Sequence, residues 1–166
     1  IKSLYLTSIC RPISLFSMNI GTRLSKYSAY NEILIDPRIA VKYNPISDLA
    51  IKLSWGNFSQ FLYTTNQEEE LLRIVDFWQP IPDGQKPQQS EHYILGAEYW
   101  ISSGNTISIE TYYKKYLHLY DLNPLLDPSD VQNTIAVSGI GDAYGLELLY
   151  RLNINNISGW IGYAFS

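Results

Sequence analysis

The chain has 166 residues, 46% of them apolar and 17% charged, with 16 acids and 12 bases giving a formal charge of −4. That hydrophobicity excludes disorder, and an acidic pI near 5.1 disfavours a nucleic-acid partner. The length is that of one domain; a single Cys10 excludes a disulfide framework, and no apolar run reaches the ~20 residues of a membrane-crossing helix.

Ser3–Ile9 reads as a first strand of poor alternation, turned at Arg11-Pro12. Phe16, Met18, Ile20 and Leu24 then oppose Ser17, Asn19, Gly21, Arg23 and Ser25, the period of two that a strand with one apolar face requires. A long connection, Tyr27–Asp36, leads to Arg38–Tyr43, where Ile39, Val41 and Tyr43 share a side. Asn44-Pro45-Ile46-Ser47-Asp48 has turn chemistry, because Pro fixes φ while Asn, Ser and Asp bond locally to the backbone. In the returning strand Leu49, Ile51, Leu53 and Trp55 split cleanly from Ala50, Lys52, Ser54 and Gly56.

A very long connection follows, Ser59–Ser90. Within it Thr65-Asn66 caps a short predicted helix, with Glu68-Glu69-Glu70 in its first turn and Leu71, Leu72 and Val75 at helical spacing. Tyr93, Leu95, Ala97, Tyr99 and Ile101 next alternate with Ile94, Gly96, Glu98 and Trp100. Ser102–Asn105 turns the chain into Ile107, Ile109, Thr111 and Tyr113, and Asp121–Ser138 is another long connection. Tyr144–Leu152, a turn at Asn153–Asn156 and Ile157–Phe165 complete the pattern. Seven strands are well marked, and Ser3–Ile9 makes an eighth.

The connections alternate strictly between short and long, which puts every tight turn at one end of an up-and-down antiparallel meander and every long loop at the other. Outer-membrane β-barrels keep that rhythm, with strands of ~10 residues that are apolar outside and polar inside. Arg38, Lys52, Glu98, Glu110, Glu147 and Arg151 mix with Gly, Ala and Ser on the polar face, as a wet lumen would demand. Charge is absent from the apolar face of Leu49–Trp55, Tyr93–Ile101 and Tyr144–Leu152. The fold expectation is an all-β transmembrane barrel section; a soluble extracellular β-sandwich binding carbohydrate, or a smaller porin-like barrel, would also exclude charge from one face.

Tyr43, Trp55, Tyr99, Tyr113, Tyr150 and Tyr163 lie toward strand ends on the apolar face, and are the expected interfacial girdle against outer-membrane lipid. Phe61, Tyr63, Phe77 and Trp78 in the longest loop are the expected contacts for a small solute, since clustered aromatics stack on sugars or chelates. His92 and His118 are far apart with no third ligand, and Asp121, Asp127 and Asp130 lack a Ca²⁺-loop register, so no metal site and no cofactor is expected. Gly139-Ile140-Gly141 lacks the third glycine of a dinucleotide fingerprint, and no nucleophile–base pair stands out, so an enzyme is not expected.

The wording of the strands adds a resemblance. Asp36-Pro37-Arg38-Ile39-Ala40-Val41-Lys42-Tyr43, a Pro turn and Leu49-Ala50-Ile51-Lys52-Leu53-Ser54-Trp55-Gly56 resemble the barrel of TonB-dependent outer-membrane receptors. So do Leu95-Gly96-Ala97-Glu98-Tyr99, Glu110-Thr111-Tyr112-Tyr113-Lys114-Lys115-Tyr116, Gly141-Asp142-Ala143-Tyr144-Gly145-Leu146-Glu147-Leu148 and Gly159-Trp160-Ile161-Gly162-Tyr163. The resemblance implies residence in the bacterial outer membrane and a 22-stranded barrel around an N-terminal plug. It also implies uptake of iron chelates, cobalamin or glycans with energy relayed by the TonB complex. No plug-like or TonB-contacting segment is recognisable in residues 1–166, which therefore read as one partial barrel domain. Strand parity agrees: with tight turns periplasmic, the last strand ends outside, whereas complete bacterial barrels return both ends to the periplasm.

Overall fold

The computed structural model describes residues 1–64, 78–121, 137–154 and 156–166. Eight long strands form one antiparallel sheet: β1 (Lys2–Ile13), β2 (Phe16–Lys26), β3 (Ile33–Ile46), β4 (Leu49–Gln60), β7 (Gln88–Ser102), β8 (Asn105–Asp121), β9 (Val137–Ile154) and β10 (Ile157–Phe165). Each pairs with its neighbour in sequence, with no crossover. Two short strands, β5 (Leu62–Thr64) and β6 (Trp78–Pro80), pair with each other inside the longest loop. The expected helix after Asn66, and Phe77, Asp127 and Asp130, lie outside the described residues.

The poorly alternating first strand is present in full. Turn chemistry misleads at two prolines. Pro12 lies within β1 at a register shift between Cys10 and Ile13, and the turn falls at Ser14-Leu15. Pro45 lies within β3 at a shift between Tyr43 and Ile46, and the turn is Ser47-Asp48 alone. Proline cannot donate to a ladder, so it is accommodated where a bulge already breaks the pairing; such bulges collect at barrel rims. Asn44 compensates locally, its N–H donating to Leu15 O at 2.7 Å and its Nδ2 to Leu49 O at 3.2 Å. The strands also run further toward the loop end than alternation suggests, so Asp36 and Pro37 belong to β3.

The sheet curls. Ile9 on β1 and Glu110 on β8 border one hollow, although five inter-strand steps of ~4.8 Å would hold them ~24 Å apart in a flat sheet. The concave face carries Ala50, Lys52, Ser54 and Gly56; the convex face carries Ile51 and Leu53, 38% and 55% exposed. There is no second layer packed on either face among the described residues, which removes the sandwich alternative. β1 and β10 are the two ends of the sheet and do not pair, so these eight strands are not a small closed barrel.

Candidate lumenal and loop sites

Register turns the convex face into levels. Trp55, Tyr93, Tyr113 and Tyr144 are successive partners across β4, β7, β8 and β9, a single aromatic row. Asn57, Glu91, Lys115 and Asp142 form the next convex row toward the loops, also in direct register. The aromatic tips reach into it: Trp55 Nε1 and Tyr93 Oη donate to Glu91 Oε1 at 2.9 and 2.6 Å, and Tyr113 Oη donates to Asp142 Oδ1 at 2.5 Å. Ring bodies on an apolar band with hydroxyls turned to charge describe a polar–apolar boundary.

Toward the tight turns, Ile51, Leu53, Leu95, Ile109 and Leu148 continue the convex face without charge, to Tyr99 and Tyr150 near the turns. Of the expected girdle, Trp55 and Tyr113 join the loop-side row, whereas Tyr43 and Tyr163 stand level with Ile51 and Leu148. Sequence reasoning misses Tyr93 and Tyr144. Each opens an alternating run rather than closing one, and only register shows them beside Trp55 and Tyr113.

The concave face is polar and fitted large against small. Gly56 has Arg38 as its partner, and a Cβ at Gly56 would come within 2.9 Å of Arg38 Cγ. Gly145 likewise makes room for the Tyr112 ring, since a Cβ there would meet Tyr112 Oη at 2.6 Å. The space so opened lets Arg38 stack on Phe58 at 4.3 Å, Phe58 on His92 at 4.5 Å, and His92 lie edge-on to Tyr116 at 6.3 Å. His92 is thus packed among rings. His118, by contrast, adopts φ of 56° at a register shift between Leu117 and Leu119.

At the loop end the described residues pack around a buried polar cluster. Asp36 is fully buried and receives Arg23 Nε at 3.0 Å and Ser59 Oγ at 2.6 Å, while Arg23 Nη2 donates to Ser59 O at 2.5 Å. This latch joins β2, β3 and β4. Above it Tyr27, Leu34, Phe61, Tyr63, Ile81 and Tyr120 form a small core. Tyr27 Oη donates to Ile81 O at 2.7 Å and Tyr120 Oη to Lys86 O at 2.5 Å, so side chains from the strand ends hold the loop backbone. Burial, and secondarily the charge of Asp83, raise the Tyr27 hydroxyl above its ordinary pKa.

The expected solute contacts therefore divide. Phe61 and Tyr63 are each only 6% exposed and anchor the loop, whereas Trp78 on β6 is 56% exposed at its surface. Phe77 lies outside the described residues. No signal within the sequence separates anchors from surface, because all four are aromatics in one loop and burial is decided by tertiary partners.

No family model and no curated protein matches the chain. Solved structures do. The siderophore receptor PirA from Pseudomonas aeruginosa superposes with a TM-score of 0.73 at 12% identity, over 98% of this chain and 34% of that one. The fold is that of an outer-membrane receptor barrel. The FrpB iron transporter from Neisseria meningitidis gives 0.68 at 16% identity, over 98% of this chain and 25% of the other. The alcaligin outer-membrane receptor FauA from Bordetella pertussis gives 0.64 at 13%, over 98% and 29%. The chain thus spans between a quarter and about a third of the length of these structures. At this identity the likeness is one of fold, and it agrees with the resemblance carried by the strand motifs.

Proposed function

We propose that the chain is a section of a bacterial outer-membrane receptor barrel that imports a small solute, with an iron chelate the favoured class and the TonB complex supplying energy to the full-length protein. One observation carries the reading: a single curled meander whose convex face is free of charge from the aromatic row to the tight turns, while its concave face is polar. Lipid tolerates the first surface, where a charge costs roughly 2–4 kcal/mol near the midplane, and water the second. Iron chelates are favoured over cobalamin or glycans because the matching solved structures are described as a siderophore receptor, an iron transporter and an alcaligin receptor. The role is import rather than catalysis.

Trp78 is the loop residue best placed to meet the solute, being exposed on a hairpin whose base is fixed by Phe61, Tyr63 and Ile81. Deleting the gene and following uptake of radiolabelled iron presented on a panel of chelators tests the reading. Loss of uptake for one chelate, restored by the wild-type gene and weakened by Trp78→Ala, is the expected result. Undiminished uptake of every chelate with lost cobalamin or oligosaccharide uptake would move the substrate class, and recovery of the protein in the soluble fraction would remove the barrel.

A further inference from the structure

Two cations on the concave face near the tight turns, Arg11 and Lys42, stand without a carboxylate partner among the described residues. Arg11, Lys42 and Lys52 border one hollow of about 360 Å³ together with Glu110, and Lys52 and Glu110 border an adjoining one with Glu98 and Glu147. Arg11 and Lys42 also border a neighbouring hollow of about 420 Å³ with Ser17 and Asn44. Lys42 and Lys52 are direct partners across β3 and β4, a like-charge pairing that destabilises a ladder. Only Lys52 is answered, by an ion pair with Glu98. Lys42 instead places Nζ 5.7 Å from the Trp100 ring, and neither it nor Arg11 has a carboxylate within ion-pairing distance among the described residues. The Pro12 bulge has a part in this: the strand continues through it, and Arg11 is brought to the hollow instead of being spent in a turn. Unpaired cations in a recess with low-dielectric walls attract counter-ions.

We propose that this hollow is an anion site, taking a ligand with at least two carboxylate or phosphate oxygens between Arg11 and Lys42. It lies ~13 Å along β4 from the Ser47-Asp48 turn, taking Lys52 four residues past Asp48 at ~3.3 Å each, and so at the opposite end of the lumen from Trp78. The inference rests on the concave face being a lumen, and adds a second station to it. The oxygens come either from a solute in transit or from an acidic segment of the protein itself.

The test is lysine acetylation of the full-length protein in detergent, read by mass spectrometry, with citrate as probe, sucrose as neutral control and exposed Lys86 as internal reference. Citrate at about ten times its Kd is expected to slow Lys42 acetylation about tenfold while sucrose and Lys86 show no change. Arg11→Gln should abolish that protection and Arg11→Lys should retain it. If Lys42 is already protected without citrate and becomes reactive only after washing in concentrated salt, the acidic segment is the source. Acetylation of Lys42 as fast as Lys86, with or without citrate and at every salt concentration, overturns the proposal. Membrane fractionation of the same protein separates that failure from failure of the barrel reading.

Discussion

The two ends of this sheet solve the same problem, how to finish a strand, by opposite means. At the tight-turn end the chain reverses in two residues at Ser14-Leu15, Ser47-Asp48 and Ser103-Gly104, each preceded by a register shift, between Cys10 and Ile13, Tyr43 and Ile46, and Trp100 and Ser102. Little is buried there beyond Ala50, and the concave side sets Arg11, Lys42 and Lys52 beside Glu98, Glu110 and Glu147. At the loop end a fully buried Asp36 binds Arg23 and Ser59, and Tyr27, Leu34, Phe61, Tyr63, Ile81 and Tyr120 form a small core beside them. One end is built from two-residue turns; the other concentrates buried polarity among the described residues.

The largest effect is expected at the latch. Asp36→Ala strands the Arg23 guanidinium without its carboxylate, and breaking a buried pair in this manner costs about 3–5 kcal/mol. Denaturant unfolding of the full-length protein, with limited proteolysis after Gln60, should show it at the loop end first. If instead the tight-turn end becomes protease-sensitive, the division between ends is mistaken.

Next comes the contrast between faces. Leu53→Arg puts a charge on the convex face and should cost roughly 2–4 kcal/mol, whereas Ser54→Arg on the adjacent concave position should change stability by less than about 0.5 kcal/mol. Equal costs for the two would contradict opposite solvents.

A smaller loss, about 1–2 kcal/mol, is expected for Tyr27→Phe, which leaves Ile81 O without its buried donor. Amide exchange confined to the β5–β6 hairpin would report it. Trp78→Ala should leave stability within about 0.5 kcal/mol while lowering solute affinity, since the side chain is exposed and holds nothing in place. Unchanged affinity would transfer the contact to other parts of the loops.

Much of this architecture is legible in the chain because two-sided strands must alternate. Leu49–Gly56 assigns its own faces, and the short–long rhythm of connections implies the meander before any register is known. What stays hidden is whatever depends on neighbours. Pro12 and Pro45 carry the same local preference in a turn and in a bulge, so φ alone cannot tell the two apart. Tyr93 and Tyr144 gain their place in the aromatic row only from partners on adjacent strands. Phe61 and Tyr63 resemble Trp78 in every local respect, and their burial follows from Tyr27, Ile81 and Tyr120 converging from distant segments. Asp36 reads as a loop residue because nothing in the sequence announces that Arg23 and Ser59 will meet it.

The most direct measurement is a spin-label scan of positions 49–56 in the full-length protein in outer membranes, comparing collisions with oxygen against those with a water-soluble nickel chelate. Labels at Ile51, Leu53 and Trp55 should favour oxygen and those at Lys52, Ser54 and Gly56 the chelate, alternating with the period of two. A profile with no alternation, or with the chelate reaching Ile51 and Leu53 as readily as Lys52, would show that no bilayer covers the convex face.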